Sequence, residues 1–203
     1  MTTVFIVSAP SGSGKSTIVH RVLAEDPRLT FSISYTTRPP RGREQPGTSY
    51  HFVGRPEFEE MIQEDRFLEW AEVFGNYYGT HRRYLDDAGA RGLDLLLDID
   101  VQGARQLKKR ISDAVSIFVL APSRQILEAR LRARGEDSEE VIQRRLRGAA
   151  EEIGNYHQYH YVLVNEEIGS SVTKQKAIVE AERIRRSRME AVIRPILDSF
   201  GAK

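Results

Sequence analysis

A chain of 203 residues, 40% of them hydrophobic, is long enough for one large domain or for a core carrying small insertions. With 30 Lys and Arg against 29 Asp and Glu, bulk charge points to neither nucleic acid nor membrane as a partner, so any anion site must come from local clusters of Arg. The absence of cysteine excludes a disulfide framework, a Cys-ligated zinc site and a catalytic thiol.

The chain opens on Val4-Phe5-Ile6-Val7, an apolar run that predicts a buried strand, followed by the Gly/Ser-rich residues 8–16. A helical pattern then places Ile18, Val19, Val22 and Leu23 on one face and stops near Asp26-Pro27. Strand, tight loop and helix begin a βαβ unit. Short apolar runs recur at 31–33, 95–97, 115–120 and 161–164, and all but the first are separated by helix-like segments. That alternation predicts an α/β core with a doubly wound parallel sheet.

Two segments interrupt the alternation. Residues 35–92 are polar, aromatic and rich in Arg, Gly and Pro, with strand-like pieces at 50–53 and 67–74, which predicts an inserted α+β subdomain. The core is then formed by 1–34 together with 93–203. Within it, residues 123–152 read as a helical lid with seven arginines between positions 124 and 147 and a turn at 134–137. Residues 171–194 predict one long helix that ends before Pro195. No run approaches the ~20 apolar residues that span a bilayer, and the apolar start is too short for a signal peptide. A cytoplasmic location is therefore expected.

The stretch Ala9-Pro10-Ser11-Gly12-Ser13-Gly14-Lys15-Ser16 fits the phosphate-binding P-loop pattern, with Ala9 in place of the first Gly. Small residues let successive backbone N–H groups curl around a β-phosphate, and the helix that follows adds its N-terminal dipole. Lys15 is placed to reach the β- and γ-phosphates of ATP, the Ser16 hydroxyl to ligate Mg²⁺, and Thr17 follows in the same nucleotide site. Leu95-Leu96-Leu97-Asp98 is a strand that ends in a carboxylate, the form of the acidic partner that helps hold Mg²⁺ in such enzymes, although a strand-terminal Asp is also a common helix N-cap.

A P-loop does not say what accepts the phosphoryl group. In Ser34-Tyr35-Thr36-Thr37-Arg38-Pro39-Pro40-Arg41, two guanidiniums stand three residues apart on a segment stiffened by two prolines, a pairing suited to a monophosphate dianion or simply to solvent. Residues 34–41, then Tyr50, Phe67-Leu68-Glu69-Trp70-Ala71, Gly75-Asn76-Tyr77-Tyr78-Gly79-Thr80 and Asp98-Ile99-Asp100-Val101-Gln102-Gly103, follow one another in the order and spacing of a known family. With the 130–145 stretch and Val164-Asn165, they resemble the guanylate kinases over nearly the whole chain.

The resemblance implies an ATP:GMP phosphotransferase of purine nucleotide metabolism, acting on GMP and dGMP, with MgATP as donor. Arg38, Arg41, Tyr50 and Tyr78 are then expected at the GMP phosphate, and Ser34, Glu69, Thr80 and Asp100 at the base. Arg134 and Arg145 of the lid are expected to join Lys15 and Arg38 at the transferring group. Arg130 and Asn165 fall on the ATP side, Asn165 near the adenine. Two rivals remain open: a catalytically inactive guanylate-kinase-like binding module, and a kinase for another nucleoside monophosphate. The intact Gly14-Lys15-Ser16 and the Arg-rich lid speak against the first, and Ser34 with Glu69 against the second. Oligomeric state is not legible.

Overall fold

The structure is a computed structural model that describes residues 2–42, 44–73, 75–133, 135 and 138–201. In chain order its elements are β1 (Val4–Ser8), α1 (Lys15–Glu25), β2 (Leu29–Phe31), β3 (Tyr35–Thr36), β4 (His51–Phe52), α2 (Arg55–Gln63), β5 (Phe67–Val73), β6 (Asn76–His81) and α3 (Arg83–Ala90). They continue with β7 (Asp94–Asp98), α4 (Val101–Arg110), β8 (Val115–Leu120), α5 (Arg124–Ala133), α6 (Glu139–Ile153), β9 (Tyr161–Val164), α7 (Ile168–Arg183) and α8 (Glu190–Ser199).

Alternation of side chains along β1 explains the layers. Phe5 and Val7 point to one face, where Ile18, Val19 and Val22 of α1 and Val172 and Val179 of α7 cover them. Val4 and Ile6 point to the other face, against Ala104 and Leu107 of α4 and Ala88 of α3. A strand buried on both sides suits a parallel sheet covered by helices, and the sheet runs β2-β7-β1-β8-β9 with every pair parallel. The carboxyl ends of β1 and β7 lie side by side, Val7 beside Asp98, and the loops that leave them build the site.

A second sheet, β4-β3-β6-β5, is made from residues 35–81, and α2 lays Phe58 and Met61 on it over Phe67. Leu68 of β5 points the other way into the core beside α4. Trp70 packs edge-on to Tyr77 at the margin of this small core, the packing role that an aromatic in a short subdomain usually has. Helices α5 and α6 pair through Leu127, Leu131, Ile142, Leu146 and Ala149. Of the turn expected at 134–137, Gly135 adopts φ +66°, while Arg134, Glu136 and Asp137 lie outside the described residues.

Several boundaries differ from the sequence reading. The strand expected at 31–33 lies two residues earlier, because Leu29 is the buried residue that pairs beside Asp94. The piece at 50–53 is a strand only over β4, with Tyr50 making a single bridge to Pro46, and that at 67–74 is a strand over β5, with Phe74 outside the described residues. The long helix expected at 171–194 is two helices. Glu182, 1% exposed, accepts from the Tyr161 hydroxyl and from Arg185 and Arg188, and these bonds fold the chain into a 3₁₀ turn at Arg186–Arg188. Arg188 also donates to the Asp113 carbonyl at 2.7 Å. Pro195 then sits inside α8 rather than beyond its end, where its ring removes one helical hydrogen bond and crowds the carbonyl four residues back.

Candidate functional site

The loop between β1 and α1 is shaped by two glycines that side-chain-bearing residues could not replace. Gly12 and Gly14 have φ of +92° and +91°, and Gly14 caps α1. A Cβ at Gly14 would stand 2.3 Å from Asn165 Nδ2, and one at Gly12 would press on Leu131 at 3.0 Å. The loop is therefore wedged between the start of α7 and helix α5. Pro10 closes it by accepting from the Ser13 amide at 3.1 Å. Asn165, fully buried, donates to the Ser13 carbonyl at 2.8 Å and accepts from Ser171 Oγ at 2.9 Å. Arg130 of α5 donates to the Asn165 carbonyl at 2.9 Å and reaches the Ser13 carbonyl at 3.4 Å. Arg145 of α6 donates to Ser11 Oγ at 3.1 Å. An open groove of about 300 Å³ runs over Gly12, Gly14 and Thr17, with Arg130, Asn165 and Ile168 along it.

At the foot of the loop, Lys15 Nζ pairs with Asp98 Oδ1, and Ser16 Oγ lies 3.4 Å from Asp98 Oδ2. Burial alone would lower the Lys15 pKa, but the Asp98 carboxylate more than offsets it, so the ammonium is held above its usual range. Tyr50, from the second sheet's side, feels the same two groups: burial raises its pKa, and Asp98 adds to the rise while Lys15 opposes it.

The arginines of the 34–41 segment are unlike each other. Arg38 is 5% exposed and held by the Glu44 carboxylate at 2.8 and 2.9 Å, the Pro39 carbonyl at 2.7 Å and the Tyr78 hydroxyl at 3.2 Å. Its guanidinium also lies over the Tyr50 ring, 5.3 Å from the centroid. Arg41 is exposed. Arg38 thus gathers Tyr50 and Tyr78 around its guanidinium, Glu44 ties the Arg41 amide to it, and Tyr50 is within electrostatic reach of Lys15.

A carboxylate pair stands beside it. Glu69 is 4% exposed and accepts from Thr80 Oγ1 at 2.6 Å across the β5–β6 ladder. Asp100 N-caps α4, accepting from the Gly103 amide at 2.7 Å. Burial pushes the Glu69 carboxyl up to about 7; the Thr80 hydroxyl pulls it down and the Asp100 charge adds to the rise. Ser34 directly precedes β3, its carbonyl accepting from the His51 amide of β4 at 2.9 Å, and among the described residues no hydrogen bond joins it to this pair.

The structure thus gathers Glu69, Thr80 and Asp100 in one place, Arg38, Arg41, Tyr50 and Tyr78 in a second, and Lys15, Ser16 and Asp98 in a third. Arg134 lies outside the described residues. Three residues escaped the sequence reading. Glu44 holds Arg38. Glu152 of α6 is a carboxylate pushed up to about 7 by burial, with Lys15 pulling it down and Asp100 raising it further. Gly103, in the first turn of α4, is the third: a Cβ there would come 2.3 Å from Glu69 Oε2. A glycine inside a helix costs about 0.5–1 kcal/mol against Ala, and that cost was the available signal of a close approach.

Gly103→Ala is accordingly expected to force Glu69 out of its position. Any substrate bound through Glu69 should show a KM about tenfold or more higher, while thermal stability stays level or improves through helix propensity. Steady-state kinetics and a thermal melt check both; an unchanged KM would mean that Glu69 does not need the space against α4.

A family profile for guanylate kinase matches residues 1–182. The chain is 56% identical over 188 residues to a guanylate kinase of Koribacter versatilis (strain Ellin345), covering 91% of this chain and 81% of that protein. It is 48% identical over 190 residues to that of Escherichia coli (strain K12), covering 93% and 92% respectively. Among solved structures, the guanylate kinase of Anaplasma phagocytophilum superposes with a TM-score of 0.75 at 34% identity, covering 94% of each chain.

Proposed function

We propose a residue-level assignment that proceeds from one premise: the chain belongs to the guanylate kinase family. It is a kinase that transfers the γ-phosphoryl group of ATP to GMP, giving ADP and GDP. Residues 1–34 and 93–203 form the P-loop core, 35–92 the GMP-binding insertion and 123–152 the lid. Ala9, Pro10, Ser11, Gly12, Ser13, Gly14, Lys15, Ser16 and Thr17 cradle the ATP phosphates. Arg130 and Asn165 serve that site chiefly by bracing the Ser13 carbonyl. Arg38, Arg41, Tyr50 and Tyr78 seat the GMP phosphate, and Ser34, Glu69, Thr80 and Asp100 read guanine.

One observation carries the assignment. Asp98 and Asp100 leave the same end of β7 and face different clusters, Asp98 toward Lys15 and Ser16, Asp100 toward Gly103 and Glu69. A nucleoside triphosphate on the loop and a purine monophosphate beside Glu69 would meet between them, near Tyr50 and Arg38.

The donor set at Ser16 and Asp98 fits Mg²⁺. It offers hard oxygens, and among the described residues no group of three or more His, Cys, Asp or Glu forms a protein-only cage, as suits an ion that keeps water and phosphate ligands. When bound, the ion neutralises charge on the β- and γ-phosphates.

The chain's own work is alignment and charge compensation. The acceptor is a phosphate oxygen already largely ionised near neutral pH, because the second pKa of a phosphate monoester is about 6, so no general base is needed. Lys15, Arg38 and the lid residues Arg134 and Arg145 offset the repulsion between two polyanions, and lid closure would limit hydrolysis by excluding water. Among the described residues, no helix is long and apolar enough to cross a membrane. Coupled ADP release with GMP, dGMP, IMP, AMP and UMP tests the whole assignment: GMP should lead, with dGMP close behind and AMP and UMP far below. Equal turnover of AMP would sink it.

A further inference from the structure

We infer that Glu44, which no part of the assignment above uses, is a positioning residue that turns the side edge of the Arg38 guanidinium toward the acceptor phosphate and pins the backbone from which the Arg41 side chain leaves. The inference rests on Arg38 and Arg41 seating the GMP phosphate.

The stereochemistry of the guanidinium carries it. An arginine has five N–H donors and two forked edges that match an oxyanion: the end edge formed by Nη1 and Nη2, and the side edge formed by Nε and Nη2. Glu44 occupies the end edge fully, with Oε1 at 2.8 Å from Nη2 and Oε2 at 2.9 Å from Nη1. The other Nη1 proton goes to the Pro39 carbonyl at 2.7 Å. Nε donates to the Tyr78 hydroxyl at 3.2 Å, which leaves that hydroxyl's own proton to donate onward. The remaining N–H, on Nη2 and adjacent to Nε, has no partner among the described residues. The free Nη2–H of the side edge and the Tyr78 hydroxyl are therefore the two donors left for an oxyanion, and Nη2–H is left there because Glu44 has claimed the opposite edge.

Glu44 fixes the second arginine as well. Its Oε2 accepts from the Arg41 amide at 2.8 Å, and its own amide donates to the Arg41 carbonyl at 3.0 Å. Hydrogen bonding by Arg38 holds the Glu44 carboxyl below its usual range against the effect of burial, with the Arg41 amide contributing. One carboxylate is thus bonded to both Arg38 and Arg41. The charge count still favours an anion: Arg38, Arg41 and Arg43 minus Glu44 leave two positive charges in the 38–44 stretch. A flexible, almost fully buried guanidinium without Glu44 would need to be ordered by the substrate, and that ordering would be charged against binding.

A different consequence follows if Glu44 merely stands in for the substrate phosphate: its removal would free Arg38 and tighten GMP binding. Binding of GMP, and of guanosine as the probe that lacks the phosphate, to wild type, Glu44→Gln, Glu44→Ala, Arg38→Ala and the Arg38→Ala/Glu44→Ala pair separates the cases. Positioning predicts that Glu44→Ala weakens GMP about tenfold or more and Glu44→Gln less, since the amide oxygen keeps one bond. Guanosine binding should be unmoved, which also reports that the variant is folded. Most of the Glu44→Ala effect should vanish in the Arg38→Ala background. Tighter GMP binding by either Glu44 variant, or an equal loss for guanosine, overturns the inference while leaving the phosphate seat intact. If Arg38→Ala itself leaves GMP binding unchanged, the phosphate assignment beneath it fails.

Discussion

Lys15→Met is expected to lower kcat by about 10²–10³ with MgATP and GMP, the loss typical of removing one aligned electrostatic donor from a site where charge moves. Lys15 pairs with Asp98 at the foot of the P-loop, and its pKa is held up by that carboxylate, so it carries its charge at every pH at which the enzyme works. Methionine keeps most of the aliphatic stem and its packing but removes the ammonium. The KM for GMP should change little, because the acceptor's seat is built from other residues. Stability should fall only modestly, since both side chains of the pair are partly exposed, at 20% and 18%. Single-turnover kinetics and a melting curve report the two effects separately. A folded Lys15→Met protein with wild-type turnover would remove Lys15 from the reaction.

The parts of the molecule that could be read from sequence are those whose causes are local. The P-loop needs residues without bulk at positions eleven to fourteen, and the positive φ of Gly12 and Gly14 is the physical reason for the pattern. The core strands were visible because a parallel strand buried on both faces is a continuous apolar run. Strand β6 was not visible: Asn76-Tyr77-Tyr78-Gly79-Thr80-His81 has no apolar alternation, and its glycine is there because a Cβ would stand 2.9 Å from Phe67 and 3.0 Å from Phe58. Helix α2 carries only Phe58 and Met61 as a buried stripe, too little for periodicity to register over nine residues.

What sequence reasoning missed in the site is non-local in the same sense. Glu69 meets Thr80 through a β ladder and Gly103 through helix packing, and neither contact follows from spacing along the chain. Glu69 and Thr80 were reached only through a family resemblance, and Gly103 was given no role at all. Glu44 is close in sequence to Arg38, yet a Glu in a Gly- and Pro-rich loop reads as solvated surface until the guanidinium it holds proves to be buried. The end of α7 was misplaced for a similar reason. Pro195 was the obvious breaker, but the break is made by the buried Glu182, whose partners Tyr161 and Arg188 converge only in the folded chain.

Glu69→Gln is expected to lower kcat/KM for GMP by about 10² or more, to affect IMP less, and to narrow the gap to AMP. Guanine presents N1–H and its 2-amino group side by side, two donors for one carboxylate, whereas adenine offers a lone pair at N1 that a carboxylate repels. A site built to bond such donors rejects an unmatched analogue by up to about 10⁴–10⁵, because its own buried groups are left unpaired. Gln keeps an oxygen for Thr80 but turns the other prong into a donor that faces N1–H. The pH dependence gives an independent readout. Burial raises the Glu69 pKa to about 7, so below that pH the free enzyme carries a carboxylic acid, and kcat/KM for GMP should fall there toward a slope of one decade per pH unit. The phosphate of GMP, with its second pKa of about 6, adds a limb of its own; that limb should remain in Glu69→Gln while the one near 7 disappears. Stability should move the opposite way. A carboxyl whose folded pKa lies above its unfolded value of 4.5 favours folding when protonated, so its contribution grows as pH falls from about 7 to 4.5, and at pH 8 the buried charge is a cost. Glu69→Gln should therefore melt higher than wild type at pH 8 by up to about 3 kcal/mol in stability, with the advantage gone below pH 4.5. A variant that keeps the wild-type ranking and ratio of GMP, IMP and AMP, and keeps the limb near pH 7, would place the reading of guanine on other groups.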